Sequence, residues 1–324
     1  MVFPAREQAA LVPVDADVRP LAAEEVRGRT LVSLISTGSE GAGYRGLYGA
    51  TSFPVRPGYA AVFVVEETGA AVTQVKPGDV AFCMGPHRSC QRAGASDVLK
   101  VPDGLAPERA TFARLVGVSM STLTTTAARP PERVVVAGLG LVGHLAAQTF
   151  AACGYDVIAC DPSDQRRNAA VDMGIADVRP RVPVDDPAVA GQVALVVECS
   201  GHEQAVLDGC RVVRKGGEVV LIGAPWERRT DIPAFDVLHA VFHRYVVLRS
   251  GWEWEVPLRP TDFRRNSIFG NIAAAMRWIA DGRIRVDGLV TSLPPDRAQE
   301  AYQALMTGCA DRLGIVFDWS DAAG

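Results

Sequence analysis

The run Arg133-Val-Val-Val-Ala137 passes directly into Gly138-Leu-Gly140-Leu-Val-Gly143 and a helical pattern over Leu141–Cys153. No other stretch constrains the fold of this 324-residue chain as strongly. An apolar run of this kind reads as a buried strand, and a glycine turn opening a helix straight after it begins a βαβ unit. The first glycine permits a tight turn, the second lets a pyrophosphate approach the backbone, and the third allows close helix–strand packing. The helix N-terminus adds free N–H groups and the positive end of its dipole. Asp156–Cys160 reads as the next strand, and Asp161 ends it at the expected spacing of roughly 20 residues. A carboxylate there accepts hydrogen bonds from adenosine ribose hydroxyls and repels a 2′-phosphate. The pattern predicts NAD(H), with NADP(H) disfavoured. Gly138, Leu139, Gly140, Leu141, Val142, Gly143 and Asp161 are the candidate cofactor-binding residues. Arg166 joins them as the side chain able to hold a 2′-phosphate, although with Arg167 it also fits a solvated helix face.

Around this unit the chain divides into three zones. From about Thr30 to Val101, short β-type runs (Leu31–Ile35, Ala61–Glu67, Val80–Cys83) alternate with Gly/Pro turns, which suggests a small barrel or sandwich. From Arg133 onward, solid apolar strands (Val193–Cys199, Glu218–Gly223, Tyr245–Leu248) alternate with helical stretches at Ser163–Met173 and Glu203–Val213. That alternation is the signature of a parallel sheet covered on both faces. After Thr261 come helical stretches at Ile268–Asp281 and Asp296–Thr307 and a last strand at Gly314–Phe317. The fold class expected is α/β, a doubly wound parallel Rossmann sheet plus a β-rich lobe. The expected domains are 1–118 with 262–324, and 119–261.

Composition removes several function classes. Apolar residues make up 48% and charged ones 22% of the chain, a globular balance, and the net charge of −4 comes without any basic run interleaved with aromatics. Nucleic acid is therefore not an expected partner. Met1–Asp17 lacks the basic start and apolar core of a secretory signal, and no apolar stretch is long enough to span a bilayer. The seven cysteines are scattered without a C-x-x-C pair, as expected of reduced thiols in a cytoplasmic protein.

The order of these parts resembles the medium-chain dehydrogenase/reductases, the zinc alcohol dehydrogenase superfamily. Besides the glycine fingerprint, the resemblance rests on Val75-Lys-Pro-Gly-Asp-Val80, Glu198-Cys-Ser-Gly201 and Lys215-Gly-Gly-Glu-Val-Val-Leu-Ile-Gly223, and it covers nearly the whole chain. It implies a GroES-like barrel lobe beside the Rossmann domain, a small-molecule substrate in the cleft between them, and Ser200 and Gly223 among the cofactor-binding residues. It also implies a homodimer formed through the edge of the Rossmann sheet, around Tyr245–Trp254. The zinc chemistry of the family does not carry over. Where zinc members have Cys-Gly-Thr-Asp this chain has Thr37-Gly-Ser-Glu40, and their Gly-His-Glu is Gly58-Tyr59-Ala60. A third ligand would fall near Ala113, in Phe112-Ala-Arg-Leu115. A catalytic zinc needs about three protein ligands and an open position, so no zinc is expected.

Without a Lewis acid, something else must donate to the reacting oxygen. Tyr59 is the first candidate, with an aromatic filler of the old metal cavity as the alternative. Ser39 matches the hydroxyl that relays protons in zinc members, or caps a turn. Thr37 orients substrate or caps the strand end, and Glu40 serves as base or as structural support. His87 could titrate, although exposure is the simpler expectation for a lone loop histidine. With Ser36 and Tyr44, these residues favour a hydroxylated substrate. The expected reaction interconverts a secondary alcohol and a ketone on a sugar- or cyclitol-like molecule. Rivals are an NAD(P)H-dependent quinone or enone reductase, a non-catalytic NAD-binding sensor or scaffold, and an enzyme that recycles its cofactor within one redox-neutral reaction. In Ser250-Gly-Trp-Glu-Trp-Glu-Val-Pro257, a strand would put Trp252 and Trp254 on one face, for an interface or for stacking on a sugar ring. His239 and His243 sit one helical turn apart without a third metal ligand.

Overall fold

The computed structural model describes all residues except 15, 16, 50 and 322–324, so part of the N-terminal stretch examined for a signal lies outside the described residues. The chain forms two compact units, Met1–Arg114 with Val286–Gly324, and Leu115–Arg285.

The first unit opens with β1 (Glu25–Leu34), whose residues alternate between buried and half-buried over most of its length, as a strand with one covered face should. Then come α1 (Thr37–Tyr44), β2 (Ala61–Thr68), β3 (Val80–Cys83), β4 (Cys90–Gly94), β5 (Val98–Lys100) and the short α2 (Pro107–Thr111). The β1–β2 register shifts at Arg27/Gly28, and a side chain at Gly28 would lie 1.9 Å from the Val64 carbonyl oxygen. Helix α1 was not expected, because the glycines in Thr37-Gly-Ser-Glu-Gly-Ala-Gly-Tyr44 oppose helix formation. Burial of Glu40–Tyr44 compensates for that low propensity, and Gly41 lies so close to Met306 that a Cβ would come within 2.6 Å of its terminal methyl.

The second unit contains α3 (Ala113–Thr125, beginning at the last residues of the first unit), β6 (Arg133–Ala137), α4 (Leu141–Ala152), β7 (Asp156–Cys160), α5 (Asp164–Asp172) and β8 (Asp177–Arg179). It continues with β9 (Val193–Glu198), α6 (Glu203–Val212), β10 (Val213–Leu221), α7 (Ala234–Arg244), β11 (Val247–Ser250) and α8 (Ile268–Ala280). All its strand pairs are parallel, in the order β11-β10-β9-β6-β7-β8. Sequence order reverses between β6 and β9, where Ala137 lies opposite Glu198; ligands of doubly wound sheets bind outside such a switch point. Two apolar layers cover the sheet, one built around residues such as Ala146 and Phe150, the other around Leu207, Cys210 and Val212. Helix α8 belongs to this unit rather than to the C-terminal return segment. It packs on α3, with Ile272 against Gly117 and Asn271 donating to Ser121 Oγ.

The chain then returns to the first unit as β12 (Val290–Leu293), α9 (Ala298–Thr307) and β13 (Gly314–Asp318). Strands β12 and β13 are parallel and β13 joins β1 antiparallel, giving a seven-stranded sheet in the order β12-β13-β1-β2-β3-β5 with β4 on β1. The Trp segment differs from expectation. Strand β11 ends at Ser250, and Glu253–Glu255 is a 3-10 turn, not a strand, that exposes both tryptophans and buries Glu253.

Candidate functional site

In the second unit, the glycine fingerprint is shaped by contacts that admit no side chain. Gly138 has φ +92°, a left-handed conformation that favours glycine, and a Cβ there would lie 2.8 Å from Ser200. At Gly143 a Cβ would lie 1.7 Å from the Gly138 carbonyl oxygen, so α4 can seat on β6 only without a side chain. Gly140 differs, because a Cβ would meet nothing within 4 Å. Open space at the second glycine is the cradle a pyrophosphate needs, and the residues present therefore fit a dinucleotide. Gly223 closes against Gly201, whose amide nitrogen a Cβ would meet at 2.3 Å.

Asp161 is buried at the end of β7. Its Oδ2 accepts from the Leu139 amide at 2.7 Å and its Oδ1 from the Ser163 amide at 2.9 Å, tying the acidic residue to the fingerprint loop. Arg166 lies 3.4 Å from Oδ2 while half of its side chain is exposed, so it is more than a solvated face. Arg167 donates to the Asp161 carbonyl oxygen. Across the switch point, Glu198 accepts from the Ser200 and Gly201 amides and from the Ser200 hydroxyl. Burial pushes its carboxyl up and these hydrogen bonds pull it back.

In the first unit, Tyr59, Ser36, Ser39, Glu40 and His87 form one cluster. The Tyr59 hydroxyl bonds Ser36 Oγ, and the Arg114 guanidinium lies over its ring with Cζ 4.7 Å from the centroid. Burial pushes the phenol above its ordinary value; Arg114 and hydrogen bonds from Ser36 and Ser39 act in the opposite direction, and Glu40 adds to the rise. The Tyr48 hydroxyl donates to the Ser39 carbonyl oxygen, and burial raises that phenol to about 12.

His87 is 1% exposed, so the expectation of an exposed loop histidine is overturned. Its Nε2 lies 2.9 Å from Glu40 Oε2 and its Nδ1 2.7 Å from Ser33 Oγ, while Trp319 Nε1 donates to the same Ser33 oxygen. Ser33 Oγ thus sits between the Trp319 indole N–H and the His87 ring, and Glu40 on the other side of that ring. Glu40 also accepts from the Tyr302 hydroxyl at 2.5 Å and from the Ser36 amide at 2.8 Å. Its two oxygens thus meet the His87 ring, the Tyr302 hydroxyl and the Ser36 amide. Tyr44 is buried against Phe3 and Tyr302, and its hydroxyl accepts from Gln299 Nε2. The Thr37 Oγ1 is buried without a hydrogen-bond partner among the described residues.

Sequence reasoning missed Arg114, Tyr302, Ser33 and Trp319. Only Arg114 carried a signal, being beside the position of the absent third ligand; Tyr302 and Trp319 reach the cluster from more than two hundred residues away. Among the described residues no group of three or more His, Cys, Asp or Glu could hold a metal ion, and no helix is long and apolar enough to cross a membrane.

A family model described as zinc-binding dehydrogenase matches residues 142–254. An alcohol dehydrogenase of Geobacillus stearothermophilus is 31% identical over 222 residues, covering 57% of this chain and 65% of the relative. Over these stretches the chain is similar to zinc-binding and alcohol dehydrogenases. A second relative, 2-desacetyl-2-hydroxyethyl bacteriochlorophyllide A dehydrogenase of Rhodobacter capsulatus, is 27% identical over 308 residues, 89% of this chain and 88% of that one. Among solved structures, galactitol-1-phosphate dehydrogenase of Escherichia coli superposes with a TM-score of 0.79 at 15% identity, covering 98% of this chain and 99% of that one, a likeness of fold. The family match lies wholly within the second unit and does not cover Thr37 or Tyr59 of the first.

Proposed function

We propose that this protein is an NAD(H)-dependent oxidoreductase that interconverts a secondary alcohol and a ketone without a catalytic metal. The observation that carries this reading is the Tyr59 phenol, hydrogen-bonded to Ser36 beneath Arg114, which the family resemblance matches to a histidine ligand of the zinc members. The second unit binds the dinucleotide; the first supplies the acid–base group. Bound nicotinamide supplies or accepts the hydride. In reduction, the Tyr59 O–H donates to the carbonyl oxygen; in oxidation, the tyrosinate takes the alcohol proton. Because burial holds the phenol protonated at neutral pH, reduction proceeds there and fails as pH rises through the phenol's ionisation. Oxidation gains over the same range. Measured rates in both directions between pH 6 and 11 check the sign.

The hydroxyls of Ser36, Thr37 and Ser39 support a small hydroxylated substrate. The Rhodobacter relative is named for a hydroxyethyl group on a bacteriochlorophyllide. The substrate panel should therefore run from polyols and cyclitols to hydroxyethyl-bearing aromatics. Asp161 supports NAD(H). Titration by fluorescence should show NADH bound at least tenfold tighter than NADPH, and Asp161→Ser should remove most of that difference. Tighter NADPH binding by the unaltered protein would overturn the assignment.

A homodimer is supported by the exposed face of α7, where Phe235, Leu238 and Phe242 are 69%, 65% and 77% exposed, and by the edge strand β11 with Val247 exposed. Phe242→Asp with Val247→Lys should convert a dimer to a monomer in light scattering. A monomeric unaltered protein would rule the dimer out.

A further inference from the structure

Arg114 is a strongly basic side chain that is 4% exposed, in the first turn of α3. Burying a guanidinium is costly, and the positive end of a helix dipole adds to the cost. Its place over the Tyr59 ring, 4.7 Å from the centroid, is well inside cation–π range. We infer that Arg114 is the positioning residue that sets the proton affinity of Tyr59, its fixed charge favouring the tyrosinate formed when the phenol gives up its proton. This deepens the proposed function and rests on Tyr59 being the acid–base group.

A neutral phenol gains modestly from a cation over its face, whereas a tyrosinate, with its negative charge spread into the ring, gains much more. In oxidation, the alcohol O–H bond breaks, its proton passes to the tyrosinate oxygen, the carbonyl forms, and the hydride passes to the oxidised dinucleotide. The tyrosinate that begins this step is what Arg114 stabilises. Other groups facing the phenol do not supply that charge. Ser36 and Ser39 offer neutral hydrogen bonds, Glu40 opposes ionisation, and Tyr48 stands nearby as a second phenol. Arginine suits the task because its planar group stacks on a ring and keeps its charge throughout the accessible pH range.

The test reads the phenol directly. Tyrosinate absorbance near 295 nm is titrated in the full-length protein and in Tyr59→Phe, and the difference isolates Tyr59. Arg114→Met and Arg114→Gln should each raise the Tyr59 midpoint by about one unit or more. Arg114→Lys, whose ammonium cannot stack as a plane, should raise it by less. The pH at which oxidation reaches half its maximal rate should rise in the same order, while dinucleotide affinity stays constant. If a neutral variant folds, as judged by circular dichroism, and the midpoint stays put, the inference is overturned. If neither neutral variant folds, Arg114→Lys decides, and an unmoved midpoint overturns it. A shifted Tyr59 titration in a protein that turns over no alcohol or ketone would sustain the Arg114 assignment and refute the proposed function instead.

Discussion

Replacing Tyr59 by Phe is expected to lower turnover about a hundredfold or more in both directions, with NAD(H) affinity unchanged within a factor of two. A positioned general acid–base group contributes typically 10²–10⁴ in rate, so a hundredfold loss corresponds to about 2.7 kcal/mol of transition-state stabilisation. The fold should absorb the change. The ring stays over Arg114, and the bonds lost are those with the Ser36 and Ser39 hydroxyls, worth about 1 kcal/mol each. Dinucleotide affinity is insulated because the fingerprint, Asp161 and Glu198 all belong to the other unit. Steady-state kinetics with parallel fluorescence titration separates the two readouts. Unchanged turnover would reduce Tyr59 to a packing residue.

The second large effect separates two glycines of one motif. Gly143→Ala would put a methyl 1.7 Å from the Gly138 carbonyl oxygen and 3.1 Å from the Cys199 side chain, both in packed surroundings. Overpacking against backbone at this distance should cost about 3 kcal/mol or more, a drop of roughly 6–12 °C in melting temperature. Gly140→Ala should behave in the opposite way. Its φ of −62° and ψ of −178° suit alanine, and the added methyl meets no protein atom within 4 Å. The melting temperature should hold, but the methyl occupies the space a pyrophosphate needs, so NAD(H) affinity should fall about tenfold or more, about 1.4 kcal/mol. A Gly140→Ala protein that binds NAD(H) normally would remove the cradle from the account. Calorimetry and fluorescence titration give both numbers.

These two sites also show what the sequence makes readable. The Rossmann unit is local in its logic. Strand, glycine turn, helix and acidic residue follow one another within thirty residues, and β7 spans the residues expected because its apolar run is bounded by Tyr155 and Asp161. The first unit is not local. Helix α1 was hidden because its glycines argue against a helix, and only the burial of Glu40–Tyr44 reverses that. His87 looked like an exposed loop residue because nothing near it in sequence announces Ser33, Glu40 or Phe317, which enclose it. The role of Glu40 depends on Tyr302, and that pairing exists only because β13 and α9 return to β1 and α1. The tryptophan segment failed for a different reason. Period-two alternation is also compatible with a turn, and nothing in the residues themselves distinguishes the two.

The central claim, alcohol–ketone chemistry driven by a phenol and not a metal, is tested most directly by one assay. The unaltered protein and Tyr59→Phe are dialysed against excess chelator, their metal content is measured, and dinucleotide reduction at 340 nm is followed over the alcohol panel. The account predicts full turnover by the metal-free unaltered protein on at least one secondary alcohol, and loss of about a hundredfold in Tyr59→Phe. Activity that disappears with removed zinc, returns with added zinc and ignores Tyr59 would contradict it.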